Sequence, residues 1–333
     1  MKNYIFNLIK LPQIYFTIIR NLKFQREIIQ KTLTIDIEES KICNDTSLDE
    51  HDYKKMTNYY GYAVPAILGE SFGILRGKKL TLKERAALTN LGALTGLFDD
   101  FFDKRDLNES YIRSLVENPE KLSGNNSNEK LFIKFYNRAL DDSANANTLK
   151  EYFLKVYDAQ IQSKSQINSD IKREEIEAIT FLKGGISLLF YRSVFSDEMI
   201  EPEKLLLYKI GGVMQLENDI FDVYKDYKDG IKTLVTIENC IDNLRSKYNL
   251  LIHEIFALAH QTNFQPKNTK KFLRIVSLVL CRGFVCLDML KYKERLSNNS
   301  FSIEKYDRKD LICDMEKPIN FLKTINYYAR YKY

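Results

Sequence analysis

What most constrains this chain is how seldom it is free to turn. Thirteen glycines and six prolines are spread over 333 residues, and the long runs containing neither favour helices over a turn-rich β architecture. The stretch from Leu82 to Asp103, LKERAALTNLGALTGLFDDFFD, sets Ala86, Leu88, Leu91, Leu94 and Leu97 at near-helical spacing. Thr81 is placed to cap it, and Glu84 three residues on completes the pattern of a capping box. Further helices are predicted from about 173 to 195, from 203 to about 227, and through the C-terminal third. Polar, turn-forming segments at 118–128, 141–147, 163–170, 196–202, 261–270 and 297–302 separate them. The expected fold class is all-α. Neither a repeat nor a composition shift marks a boundary, so residues 1–333 read as a single domain, with 1–50 a helical segment packing on or flanking it.

Composition narrows the function. Fifty basic and 45 acidic residues give a formal charge of +5 with both signs interspersed, which argues against a nucleic-acid partner. The five cysteines, Cys43, Cys240, Cys281, Cys286 and Cys313, form no C-x-x-C pair and fit a reduced, cytoplasmic setting. His51, His253 and His260 are too scattered to suggest zinc. The N-terminal run MKNYIFNLIKLPQIYFTIIRNLKF is apolar, but Lys10, Pro12, Gln13 and Arg20 interrupt it well short of the roughly 18 apolar residues a membrane span needs. An amphipathic first helix, open to peripheral membrane contact but not integral, is the expectation.

Two acidic constellations carry the chemistry. Asp99 and Asp103, in FDDFFD, fall one helical turn apart at a helix C-terminus, where negative charge opposes the macrodipole unless a cation offsets it. Hard oxygen ligands on one face suit Mg²⁺. A solvated helix end is the plainer alternative, but Leu97, Phe98, Phe101 and Phe102 surround these acids. Downstream, Asn218, Asp222 and Asp226 recur every four residues and read as one stripe of oxygen ligands. Lys225 stands beside them, while Glu217 and Asp219 read as solvated. Facing each other across a bundle, the two sets would make a metal-diphosphate clamp.

These residues carry a resemblance. Asp99-Asp100-Phe101-Phe102-Asp103 resembles the DDxxD motif of class I terpene synthases and trans-prenyltransferases. Asn218 to Asp226 is similar to the NDxxSxxKE motif of terpene synthases, with Asp222 in place of Ser and Asp226 in place of Glu. The same stretch resembles the second aspartate-rich motif of prenyl diphosphate synthases and the DxxxD of squalene and phytoene synthases. The run from Glu174 to Gly185 resembles the EEYLxxxxxKT segment of prenyl diphosphate synthases, with Lys183 on the diphosphate-binding lysine. Arg173 lies near the spacing of an arginine diphosphate sensor, and Arg330-Tyr331 resembles a pair that closes over diphosphate in bacterial terpene synthases.

The resemblance implies a class I isoprenoid synthase bundle around a central apolar cavity. It implies Mg²⁺, three ions or Mn²⁺ in their place, held by Asp99, Asp103, Asn218, Asp222 and Asp226, with Asp100 also in the catalytic motif. Lys183, Lys225, Arg330, Tyr331 and Arg173 would contact the diphosphate of a prenyl diphosphate substrate. Phe98, Phe102, Phe181, Phe190 and Tyr224 are candidates to shield a carbocation by their nearness to the motifs, with ordinary core packing the plainer reading of each. A homodimer is compatible with it. Two departures favour a one-substrate cyclase over a chain-elongating or head-to-head transferase. The paired arginines after the first motif are replaced by Lys104, Arg105 and Asp106, and the GGKRxRP segment for a second substrate has no counterpart. A silent prenyl diphosphate-binding protein is the reading of another class.

Overall fold

The computed structural model describes residues 2–104 and 107–333, and every regular element among them is helical. In chain order the α-helices are α1 (Lys2–Thr32), α2 (Thr34–Ile42), α3 (Glu50–Lys54), α4 (Tyr60–Ala63), α5 (Glu70–Arg76), α6 (Leu82–Asp103), α7 (Glu109–Glu117) and α8 (Ser127–Asp142). They continue as α9 (Ala146–Ser163), α10 (Arg173–Arg192), α11 (Glu201–Phe221), α12 (Val223–Lys228), α13 (Ile241–Gln261), α14 (Pro266–Leu296), α15 (Arg308–Leu311) and α16 (Pro318–Arg330). Three of these starts carry proline in the first turn, Pro202, Pro266 and Pro318, where the missing N–H costs nothing. No described helix is long and apolar enough to cross a membrane. Arg105 and Asp106 lie outside the described residues.

Contacts divide the chain into two compact units, each discontinuous in sequence. The N-terminal unit comprises Gln13–Tyr157 with Leu189–Met199, and the C-terminal unit comprises Met1–Pro12, Asp158–Leu188 and Ile200–Tyr333. Three of the four boundaries fall inside α1, α9 and α10, and the fourth, between Met199 and Ile200, falls in the polar segment before α11.

In the N-terminal unit α6 is the central helix, packed on α8 and α4. Its start is the expected capping box. The Glu84 N–H donates to Thr81 Oγ1 at 3.1 Å, and the Thr81 N–H donates to Glu84 Oε2 at 2.9 Å. Against α6 lies a segment with two π-helical runs, Lys55–Tyr59 and Val64–Gly69, in which the Tyr60 N–H reaches back to Lys55 O and the Glu70 N–H to Pro65 O. Gly92 admits this segment, since a Cβ there would lie 2.5 Å from Tyr60 O. Fully buried Gln25 of α1 ties the two together, donating to Gly61 O at 2.9 Å and Thr89 Oγ1 at 2.8 Å while accepting from Arg85 at 3.1 Å.

In the C-terminal unit α11, α13, α14 and α16 pack successively, and α15 meets α12 and α14. Tyr248, fully buried, donates to Leu280 O at 2.7 Å and pins α13 to α14. All five cysteines are free.

Candidate functional site

The second acidic segment is positioned by a glycine crossing. On α10 and α11, a Cβ at Gly184 would fall 2.1 Å from Gly211 O, and one at Gly211 would fall 2.2 Å from Gly184 O. The two backbones therefore touch, as only glycine allows. Counting from Gly211, residues 215, 218, 219, 222 and 226 continue one helical face, and the contact brings Thr180 and Lys183 of α10 against it.

Asp219 is the buried centre of this group. Its carboxylate accepts from Gln215 Nε2 at 2.8 Å and from Thr180 Oγ1 at 3.3 Å. Burial pushes its pKa up to about 6, opposed by those hydrogen bonds and by Lys183, with Asp222 adding to the rise. Asp226 is pushed up to about 7, first by burial and then by the like charges of Asp219 and Asp222, against Lys225 and Lys183. Asp222 is raised by burial and held down by Lys225 and by the Asn218 amide, which donates to it at 3.2 Å. Asn218 and Lys225 are exposed.

Two expectations are corrected here. Asp219 and Glu217 are buried, not solvated. Asp219 belongs to the cluster, whereas Glu217 points to the other side of α11 and pairs with Arg282 at 3.1 Å, with burial raising its pKa to about 7 despite that partner. The stripe is also not one unbroken helix. Asp222, at φ −91 and ψ 9, ends α11 and opens α12, yet the Asp222 N–H to Asn218 O and Asp226 N–H to Asp222 O bonds of 2.8 and 2.9 Å keep the four-residue register. Thr180 and Gln215, the hydrogen-bond partners of Asp219, are not among the expected site residues. The glycine pairs at 184–185 and 211–212 were the signal that could have found them.

Other expected residues stand apart from this cluster. Arg173 donates to buried Glu238 at 2.6 Å. Arg330 and Tyr331 line an open cleft of about 490 Å³ with Arg245, His253 and Tyr327, where the Arg330 guanidinium lies 5.3 Å from the Tyr327 ring centre. Tyr331 stacks on Phe256 at 5.2 Å.

In the N-terminal unit, Asp99 and Asp103 end α6 as expected, Asp99 half-buried and Asp103 exposed. Asp99 adds to the raised pKa of buried Tyr191, whose hydroxyl meets Thr95 Oγ1 at 2.7 Å. Asp100 turns to the opposite side, buried between Lys55 at 3.4 Å and Lys104 at 3.0 Å, beside Asp52. This ion cluster clamps α3 and the first π-helical run to the end of α6. Phe98 and Phe190 are interlocked core rings, with centroids 5.0 and 4.7 Å from Phe153.

Among the described residues the one tight group of three metal-type ligands is Asp49, His51 and Asp52. Its carboxylates are already engaged. Asp49 and Asp52 form the capping box of α3, and Asp52 accepts from Lys104 at 2.6 Å. The three aspartates of the α11–α12 cluster lie less tightly together, an arrangement open to a cation that keeps water and phosphate ligands.

Searched against protein-family models and against curated proteins, the chain matches none.

Proposed function

We propose that this chain is a Mg²⁺-dependent class I terpene synthase that ionises a prenyl diphosphate, with its diphosphate site at the α10–α11 crossing. The observation that carries the reading is the convergence of Asp219, Asp222 and Asp226 with Lys183 of the neighbouring helix. Burial raises all three carboxyls above their ordinary range, and like charge adds to the rise at Asp219 and Asp226, so a divalent cation has an electrostatic reason to bind. Hard, partly shielded oxygens of this kind fit Mg²⁺, which usually takes one or two carboxylates together with phosphate oxygens and water. Bound there, it would supply positive charge to the diphosphate.

The protein's own groups do the rest. Thr180 and Gln215 fix Asp219, and Lys183 and Lys225 supply cations for the leaving group. As the allylic C–O bond breaks, its electron pair goes to the diphosphate and leaves a carbocation. Fixed cations favour that charge-separated state over the ground state. The motif resemblance assigns Asp99 and Asp103 to the same reaction. Arg173, Arg330 and Tyr331 have partners away from the aspartate cluster and are not needed by the proposal.

The test is diphosphate release from farnesyl and geranylgeranyl diphosphate with and without Mg²⁺. Turnover by the wild type should require the metal, and Lys183→Met or Asp222→Asn should lower kcat by about 10²-fold or more. Asp99→Asn should abolish it. Hydrocarbon or alcohol from the allylic substrate alone marks a cyclase, whereas product only on adding isopentenyl diphosphate marks a transferase. Turnover independent of Mg²⁺, or unchanged in Asp222→Asn, would discard the site.

A further inference from the structure

Helix α1 is apolar on two opposite faces, and only one of them is used. The inner row of Asn7, Leu11, Ile14, Asn21, Gln25 and Ile29 is buried. Asn7 donates to Ala329 O at 3.1 Å and to Tyr331 O at 2.7 Å within the C-terminal unit, and Gln25 makes the bonds described above within the N-terminal unit. On the far side of the same helix, Ile5, Ile9, Phe16 and Ile19 are exposed by 53, 68, 69 and 49%. Spacings of four, seven and three residues keep these four on one stripe. A helix that has already buried its inner stripe has no folding need for a second, so the outer one calls for a different explanation.

Charge indicates the occupant. The first acidic residue of the chain is Glu27, while Lys10, Arg20, Lys23 and Arg26 precede it. Arg20 and Lys23, both exposed, continue the outer stripe just past Ile19, and Lys10 lies 5.7 Å from the ring centre of half-exposed Phe6. An apolar row flanked by cations and free of carboxylates is complementary to an anionic bilayer surface, where the side chains enter the acyl boundary and the cations meet headgroups. A second copy of the same face would instead bring like charges together. We infer that the outer face of α1 docks the protein on anionic phospholipid membranes, lying in the interface without crossing it. This inference is independent of the diphosphate site.

The experiment is co-sedimentation of the full chain with phosphatidylcholine vesicles and with vesicles of phosphatidylcholine and phosphatidylserine at 7:3. Binding to the anionic vesicles should be at least about tenfold tighter, since each cation near such a surface is worth about fivefold. Arg20→Gln with Lys23→Gln should remove most of that preference. Phe16→Glu should reduce binding to both vesicle types, and because Phe16 is exposed its circular dichroism and thermal midpoint should match wild type. Diphosphate release measured in detergent-free buffer, with substrate supplied in solution, separates a failure here from a failure of the catalytic reading. No binding to either vesicle, or equal binding by Phe16→Glu, overturns the inference. So does a dimer that Phe16→Glu dissociates without any effect on vesicle binding.

Discussion

Replacing Asp226 by Asn tests the electrostatics of the candidate site without needing a substrate. In the folded protein Asp226 titrates at about 7 instead of 3.8. A group that ionises later when folded leaves stability unaffected below pH 4, where both states are protonated. Stability then falls as pH rises from about 4 to about 7, because the unfolded chain has released a proton that the folded one keeps, and the loss is complete above that window. A difference of about three pH units at about 1.4 kcal/mol each gives roughly 4 kcal/mol. The side chain is partly open to solvent, and screening leaves half of this, about 2 kcal/mol. Asp226→Asn removes the titration, so the metal-free variant should be more stable than wild type at pH 8 by that amount, raising the midpoint by about 3 °C. At pH 4 the two should be alike. Differential scanning calorimetry at both pH values, with chelator and then with millimolar Mg²⁺, reads this directly. Mg²⁺ should stabilise wild type at pH 8 and largely spare the variant. A variant less stable at pH 8, or a difference unchanged between pH 4 and 8, would refute the reasoning.

Three further outcomes are expected. Gly211→Ala sets a methyl 2.2 Å from Gly184 O, so it should cost about 1–3 kcal/mol in urea unfolding and weaken Mg²⁺ binding by isothermal titration through the displaced Lys183. Gln25→Ala strands Gly61 O and one guanidinium N–H of Arg85 and should cost about 2–3 kcal/mol by the same measurement. Arg282→Met leaves buried Glu217 without its partner. The cost should reach about 3 kcal/mol at pH 8 and shrink at pH 5, where Glu217, titrating at about 7, is already neutral in the folded state.

Local order was legible because it is written locally. The α6 capping box needs only Thr81 and Glu84, and the acid register from Asn218 to Asp226 survives the break at Asp222 because both four-residue hydrogen bonds persist. Burial was not legible. Asp219 and Glu217 look like any charged helix residues until Thr180 and Arg282 arrive from elsewhere in the chain. Asp100 likewise resembles its neighbour Asp99 in sequence and differs only because Lys55 and Lys104 meet it. The two contact units leave little trace in the sequence, because three of their four boundaries run through α1, α9 and α10, where helical periodicity continues undisturbed.

The wide turns between Lys55 and Gly69 have a bearing on how this protein tolerates change in length. A π-helical run accommodates about one residue more than the α-helix it interrupts, so excising a single residue there would tighten the coil into ordinary α-helix. Most helices answer such a deletion by rotating every later side chain about 100° around the axis. Each of these two runs holds a spare residue in reserve, so the loss of one residue there can be absorbed without unthreading the core of the N-terminal unit.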